Sequence, residues 1–239
     1  MTEGHLEKIK SRGYWRVNFR PLTADIRLKT MQECRDIVEK NSVELRGWDY
    51  PHFPRRNDEK VGTAPAGDFF EGWEDWENHK EFWRMYKTGQ FLYYRALRED
   101  WLDERGGIFT TPNDKSFKAG EKIGVLGSLV YEITECFQFL SRLVERGLYE
   151  KGVKVHISLV NTKGRELVVD DGARIPFMYA RKTEAPELSF EKTYTKEEIL
   201  NDSKGLAHDI IMQVADSFGW NPAPEQVAGD QEKLISRRF

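Results

Sequence analysis

Polar and apolar positions alternate from Tyr14 to Arg20. Trp15, Val17 and Phe19 fall on one face, Arg16, Asn18 and Arg20 on the other, and Pro21 follows. That period predicts a half-buried strand, because successive side chains of a strand point to opposite sides of the sheet. The period returns at Val153, Val155, Ile157 and Leu159, and a turn through Asn161 and Gly164 leads to Arg165–Asp170, so a β-hairpin is expected there. Val43–Trp48 and Leu188–Tyr194 read as further strands. Gln90–Leu97 fits both periods, with strand preferred.

Spacings of three and four mark the helices. Residues 3–12 form a short polar helix, and residues 27–40 carry Leu28, Met31, Cys34, Ile37 and Val38 on one side. A short helix over 79–87 holds Phe82, Trp83 and Tyr86. The longest apolar stripe runs through Ile123, Leu126, Val130, Ile133, Phe137, Leu140 and Val144, and predicts one central helix over about 121–149, roughly 40 Å long. Thr195 and Glu198 make a capping box for a helix over about 196–218, stopped at Gly219. Segments rich in proline, glycine and charge at 54–68, 103–120 and 171–186 read as long loops. Strands and helices mix without a regular βαβ alternation. The expectation is one α+β domain over 1–239, with a largely antiparallel mixed sheet packed on the 121–149 and 196–218 helices.

Composition narrows the class. Of 239 residues, 39% are hydrophobic, 32% charged and 13% aromatic, which is too apolar for a disordered chain. A net charge of −3 supplies no global attraction to nucleic acid. Apolar runs such as Gly124–Tyr131 fall well short of the roughly 20 residues that span a bilayer, and the first residues hold no hydrophobic stretch for a signal peptide. Cys34 and Cys136 both sit on apolar helix faces and read as buried free thiols. A soluble protein of the cytoplasm is expected, with no membrane contact.

Signatures of chemistry are sparse. The chain has no GxxxxGK[ST] loop, no GxSxG, no HExxH and no CxxC, so neither a metal nor a cofactor is expected. Asp170 and Asp171 end a strand near Glu166, the placement of acids in a metal-dependent hydrolase or nuclease, although no Glu-x-Lys follows on the next strand. An acidic hairpin end is the plainer reading of these three. Five of the seven tryptophans (Trp48, Trp73, Trp76, Trp83 and Trp101) cluster in sequence among other aromatic residues. Such a cluster makes a core, a protein-binding surface or a small-ligand pocket, with Trp73 and Trp76 as candidate contacts. The acidic run EGWEDWENHKE (71–81) counts against nucleic acid on that stretch. In the segment Arg46–His52, Gly47 permits a tight turn and Pro51 stiffens the exit. Arg46 and Asp49 there form an ion pair, or Arg46 and His52, beside Trp48, meet an anionic ligand or a partner carboxylate. Arg16 and Arg20 lie on the polar face of the first strand. They are solvated, or join Arg46 and His52 in a nucleotide or nucleic-acid sensor.

Gly13–Val17 (GYWRV) with Arg20–Pro21, VELRGWDYPH (43–52), EFWRMYKTGQF (81–91) and GRELVVD (164–170) together resemble a group of uncharacterised bacterial proteins. The resemblance implies a bacterial source and carries no activity. The function expected is that of a non-enzymatic binding or assembly subunit of a bacterial multi-protein complex, with a protein partner and self-association left open. Class alone, and no residue, suggests antiphage defence.

Overall fold

The computed structural model describes residues 2–23, 25, 27–104 and 118–237. The elements run α1 (Thr2–Lys10), β1 (Tyr14–Pro21), α2 (Met31–Glu39), β2 (Val43–Glu44), β3 (Asp49–Tyr50), β4 (Val61–Ala66), β5 (Phe69–Trp76), β6 (His79–Tyr86), β7 (Phe91–Ala96), β8 (Lys122–Gly124), α3 (Tyr131–Glu145), β9 (Val153–Val160), β10 (Glu166–Val168), β11 (Arg181–Lys182), β12 (Glu187–Tyr194), α4 (Lys196–Ser217) and α5 (Pro224–Ile235). Seven strands form one sheet in the order β12-β9-β1-β7-β6-β5-β4, with every neighbour antiparallel. The architecture is the expected α+β.

Strand β1 lies inside the sheet between β9 and β7, and its alternation puts one face on the core. Trp15, Val17 and Phe19 join Trp83, Met85, Phe91 and Tyr93 in a core closed by Ile133, Phe137, Phe139 and Leu140 of α3. Helix α4 adds Ile199, Ile210, Ile211 and Val214 to that core. Its capping box is formed by Thr195 and Glu198 as the sequence suggests. At the β5–β7 end the opposite face is also covered, because Ile9 of α1 packs with Tyr14, Trp73, Phe82, Ala96 and Trp101. No helix among the described residues is long and apolar enough to cross a membrane.

Several expectations are corrected. Residues 79–86 are a strand, and the helix-like spacing of Phe82, Trp83 and Tyr86 arises because Phe82 and Trp83 are buried on opposite covered faces. The 121–149 stripe is not one helix. Lys122–Gly124 pairs in parallel with β10, a turn of π-helix covers Val125–Val130, and α3 ends at Glu145. Asp170 caps this helical start by accepting from the amides of Leu126 (2.7 Å) and Gly127 (2.9 Å). The expected hairpin over 153–170 is absent, because β9 pairs with β1 and β12 while β10 joins β8 and β11. Residues 54–68 contain β4, and residues 171–186 contain β11. Only Val43–Glu44 of the expected 43–48 strand is extended in a ladder. Most of the 103–120 loop lies outside the described residues.

Candidate functional site

The segment 43–56 sets the site. Strands β2 and β3 pair through a turn in which Gly47 adopts φ +78°, a left-handed conformation that a side chain disfavours. Asp49 then closes the following bend: its carboxylate accepts from the Phe53 amide at 3.0 Å and contacts His52 Nδ1. The Tyr50–Pro51 peptide is cis. This path places the Trp48 indole against His52 and His79, with ring centroids 4.4 and 4.3 Å away.

Across the sheet, register brings an ionic row to the same place. Glu74 on β5 faces Glu81 on β6, which faces Arg95 on β7. Glu81 accepts from Arg95 Nη1 (2.6 Å), Tyr93 Oη (3.1 Å) and the His52 amide. Burial works against ionising Glu81, yet the contacts with His79 and Arg95 and the nearby His52 hold its carboxyl down at about 2. His79, buried beside Arg95, is pushed down to about 3 by burial and by the Arg95 charge, and its Nε2 lies 3.1 Å from Glu81 and 2.7 Å from Arg95 Nη1. Glu74 behaves differently. Only 4% exposed, it is pushed up to about 7 by burial, which His52 partly offsets. Its ion-pair partner is His52 Nε2 at 3.4 Å, and among the described residues no donor makes a hydrogen bond to it. Burial lowers the His52 imidazole, but Asp49, Glu81 and Glu74 together raise it.

Glu74 opens onto a cleft of about 700 Å³, whose walls include Trp48, His52, Phe53, Arg56 and Trp76. Trp76 is 46% exposed, with the Arg56 guanidinium 5.3 Å from its ring centroid. The cleft therefore combines aromatic walls, an acid–imidazole floor and cations at its mouth. It can hold a planar or amphipathic ligand and exchange a proton with it near neutrality.

Arg46 leaves the turn in the other direction. It donates to Glu135 (2.6 Å), Glu132 (3.1 Å) and the Gly127 carbonyl (2.8 Å), so the expected Arg46–Asp49 ion pair does not form. Burial opposes its charge, but the two carboxylates outweigh that and raise its pKa. Tyr93 Oη, within 3.3 Å of Glu132, links this cluster to Glu81. A second cavity of about 550 Å³ adjoins Arg46, Arg98, Tyr131, Asp170 and Arg174.

The structure thus brings Trp48, Asp49, His52 and Trp76 to one cleft, turns Arg46 away to the second cavity, and separates the rest. Trp73 is buried on the opposite face beneath α1, with its ring stacked on His5. Arg16 and Arg20 reach across β9 to Glu187 (3.0 Å) and Glu191 (3.1 Å), away from the cleft. Of the acidic trio, Asp170 is occupied as a cap, Asp171 accepts from the Ala173 amide and pairs with Arg174, and Glu166 projects from β10. No group of three or more metal-ligating side chains occurs among the described residues. Trp83 and Trp101 are core residues, so the tryptophan cluster is mostly interior. Glu74, Glu81, Arg95, Glu132 and Glu135 were not legible as site residues. The signal that locates one of them, Glu74, is Gly67–Asp68, a two-residue hairpin turn that sets the alternation of β5.

Comparison with protein-family models, curated proteins and solved structures finds no match to this chain.

Proposed function

We propose that this chain is a binding protein and that its ligand occupies the cleft between Trp48 and Trp76. The observation carrying this reading is Glu74: a nearly buried carboxyl whose ion-pair partner is His52 Nε2 at 3.4 Å, with no hydrogen bond made to it among the described residues, at the floor of an open aromatic-walled cavity. A hydrogen bond to a charged group is worth roughly 1.5–3 kcal/mol, so a ligand that supplies donors to Glu74 gains from them. A small-molecule library screened by thermal shift tests the idea. A hit should stabilise the wild type and lose its effect in Trp76→Ala. Hits that stabilise both proteins equally refute it.

A second reading, assembly into a bacterial multi-protein complex, is favoured by a separate observation. Ile175, Met178 and Tyr179 stand 90, 85 and 75% exposed on the segment before β11, anchored by Phe177 against Trp220. Contiguous exposed apolar side chains are what partner surfaces use. This replaces the tryptophan-rich 48–101 stretch as the docking surface. The buried free thiols Cys34 and Cys136 suit the reducing cytoplasm, and antiphage defence is one context for such a complex. Co-purification of a neighbour-encoded partner, abolished by Ile175→Ser with Met178→Ser, is the expected result. A monodisperse monomer that retains no such partner removes this reading.

A further inference from the structure

The cleft offers three chemical features in one place. Its floor is the Glu74 carboxyl, whose Oε2 lies 3.4 Å from His52 Nε2 in an ion pair and whose two acceptor oxygens receive no hydrogen bond among the described residues. Its walls are the flat rings of Trp48 and Trp76, which take a planar ligand at little entropic cost. Its mouth carries Arg55, which makes no ion pair among the described residues, and Arg56, whose Nε lies 3.3 Å from Asp58. A volume of about 700 Å³ falls within the range of small-molecule and cofactor sites and leaves room for a base, a sugar and a phosphate.

The donor pattern of the ligand follows from the floor. A carboxylate can only accept, so it matches a planar group that presents two adjacent N–H donors. Among the nucleobases guanine does this through N1–H and its exocyclic amine. Adenine sets an acceptor beside its amine, cytosine does the same, and uracil flanks its single N–H with acceptors. Each of these three therefore opposes a lone pair to one Glu74 oxygen or leaves that oxygen unpaired. Arginine at the mouth matches phosphate.

Resting on the cleft as the ligand site, we propose that its occupant is a free guanine mononucleotide. The base stacks on the indoles, its Watson–Crick edge meets Glu74, and its phosphate lies at Arg55 and Arg56. Protonation of Glu74 converts one oxygen into a donor, which suits the amine-and-acceptor edge of adenine instead. Because burial pushes Glu74 up to about 7, guanine preference belongs to the alkaline side of neutrality and declines below it.

Calorimetric titration of the full chain with GMP, AMP, CMP and UMP at pH 8 and pH 6 provides the test. A short RNA beginning with guanosine is included to separate a free nucleotide from a nucleic-acid end. At pH 8 GMP should bind about tenfold or more tightly than AMP, as expected for one bidentate base contact. That ratio should narrow at pH 6. Glu74→Gln, whose amide carries one donor and one acceptor, should cost GMP about 10- to 100-fold and favour AMP. Trp76→Ala, at an exposed position, should weaken GMP about tenfold through lost stacking. Equal binding of all four nucleotides, guanine preference surviving in Glu74→Gln, or binding of the RNA alone overturns the assignment. If GMP is silent while another small molecule binds in a Trp76-dependent way, the guanine assignment falls and the cleft reading stands. If nothing binds at the cleft, both fall.

Discussion

Replacing Arg46 with alanine is the most direct test of how the 43–56 segment is held. The guanidinium bridges the buried carboxylates of Glu132 and Glu135 and also donates to a main-chain carbonyl. Glu135 Oε1 is buried without a hydrogen-bond partner, and the other nearby cation, Arg95, donates its hydrogen bonds elsewhere, to Glu81 and His79. Removing one partner of a buried ion pair typically costs 3–5 kcal/mol, because the desolvated charge is left uncompensated. Arg46 retains some solvent contact, so the lower end, about 3 kcal/mol, applies. For a chain of this size, 1 kcal/mol moves the melting temperature by about 2–4 °C, so the variant should melt roughly 6–12 °C lower. The penalty must also depend on pH. Burial already raises Glu135, and losing Arg46 raises it further. A carboxyl with a raised folded-state pKa contributes stability at low pH that is lost as pH rises through that value. The gap between variant and wild type should therefore shrink from pH 8 to pH 5. Urea denaturation at both values, with a double-mutant cycle, is the assay. Coupling of Arg46 to Glu135 should exceed about 1 kcal/mol, and coupling to Asp49 should be near zero. A pH-independent loss below about 1 kcal/mol, or strong coupling to Asp49, would refute the reasoning.

Three further outcomes follow from the same chemistry. In the wild type, Glu74 contributes stability that declines as pH rises from 4.5 through about 7, worth about 3 kcal/mol at 1.36 kcal/mol per unit. Glu74→Gln should flatten that limb and be the more stable protein at pH 8; identical slopes in chemical denaturation would argue against it. Glu81 has the opposite sign: its depressed carboxyl stabilises the fold above 4.5 and loses that contribution as pH falls toward 2. Glu81→Gln should lose about 3–5 kcal/mol at pH 7, with the deficit closing in acid, as read by fluorescence-monitored unfolding. Gly72→Ala should cost about 1–3 kcal/mol, because the added methyl would run into the Trp83 indole; an unchanged melting temperature would contradict the packing.

Much of the fold follows from local pattern. Strand β1 is legible because only its Trp15 face meets the main core, while Arg16, Asn18 and Arg20 keep contact with solvent. The α4 capping box is legible because Thr195 and Glu198 act within one turn. Strands β5 and β6 are harder, since α1 covers one face and the core covers the other. On β6, Lys80, Glu81, Phe82 and Trp83 are buried in succession, so the period of two disappears. The 121–149 stripe misleads for a different reason. Three residues of a parallel ladder supply an apolar side chain at Ile123 that fits the helical spacing by coincidence. What starts the helix is Asp170, a distant residue whose capping role has no local signature.

The candidate site was half visible for the same physical reason. A turn announces itself locally, so Gly47, Asp49 and His52 stand out as a structured segment with polar side chains. Their partners do not, because an acid in an acidic run reads as solvated wherever the chain folds. EGWEDWENHKE splits by register: Glu71, Trp73 and Asp75 face α1, whereas Glu74 and Glu81 face the cleft and the buried row. Only sheet pairing decides which carboxylates lose water, and loss of water distinguishes Glu74, pushed up to about 7, from Glu81, held down at about 2 by Arg95 and His79. Two cross-strand glutamates facing one another would ordinarily repel. Here Arg95 and His79 keep one charged, and the cleft lets the other exchange its proton. Repulsion within the pair is thus resolved at Glu74, which makes that carboxyl the point where protonation and stability meet.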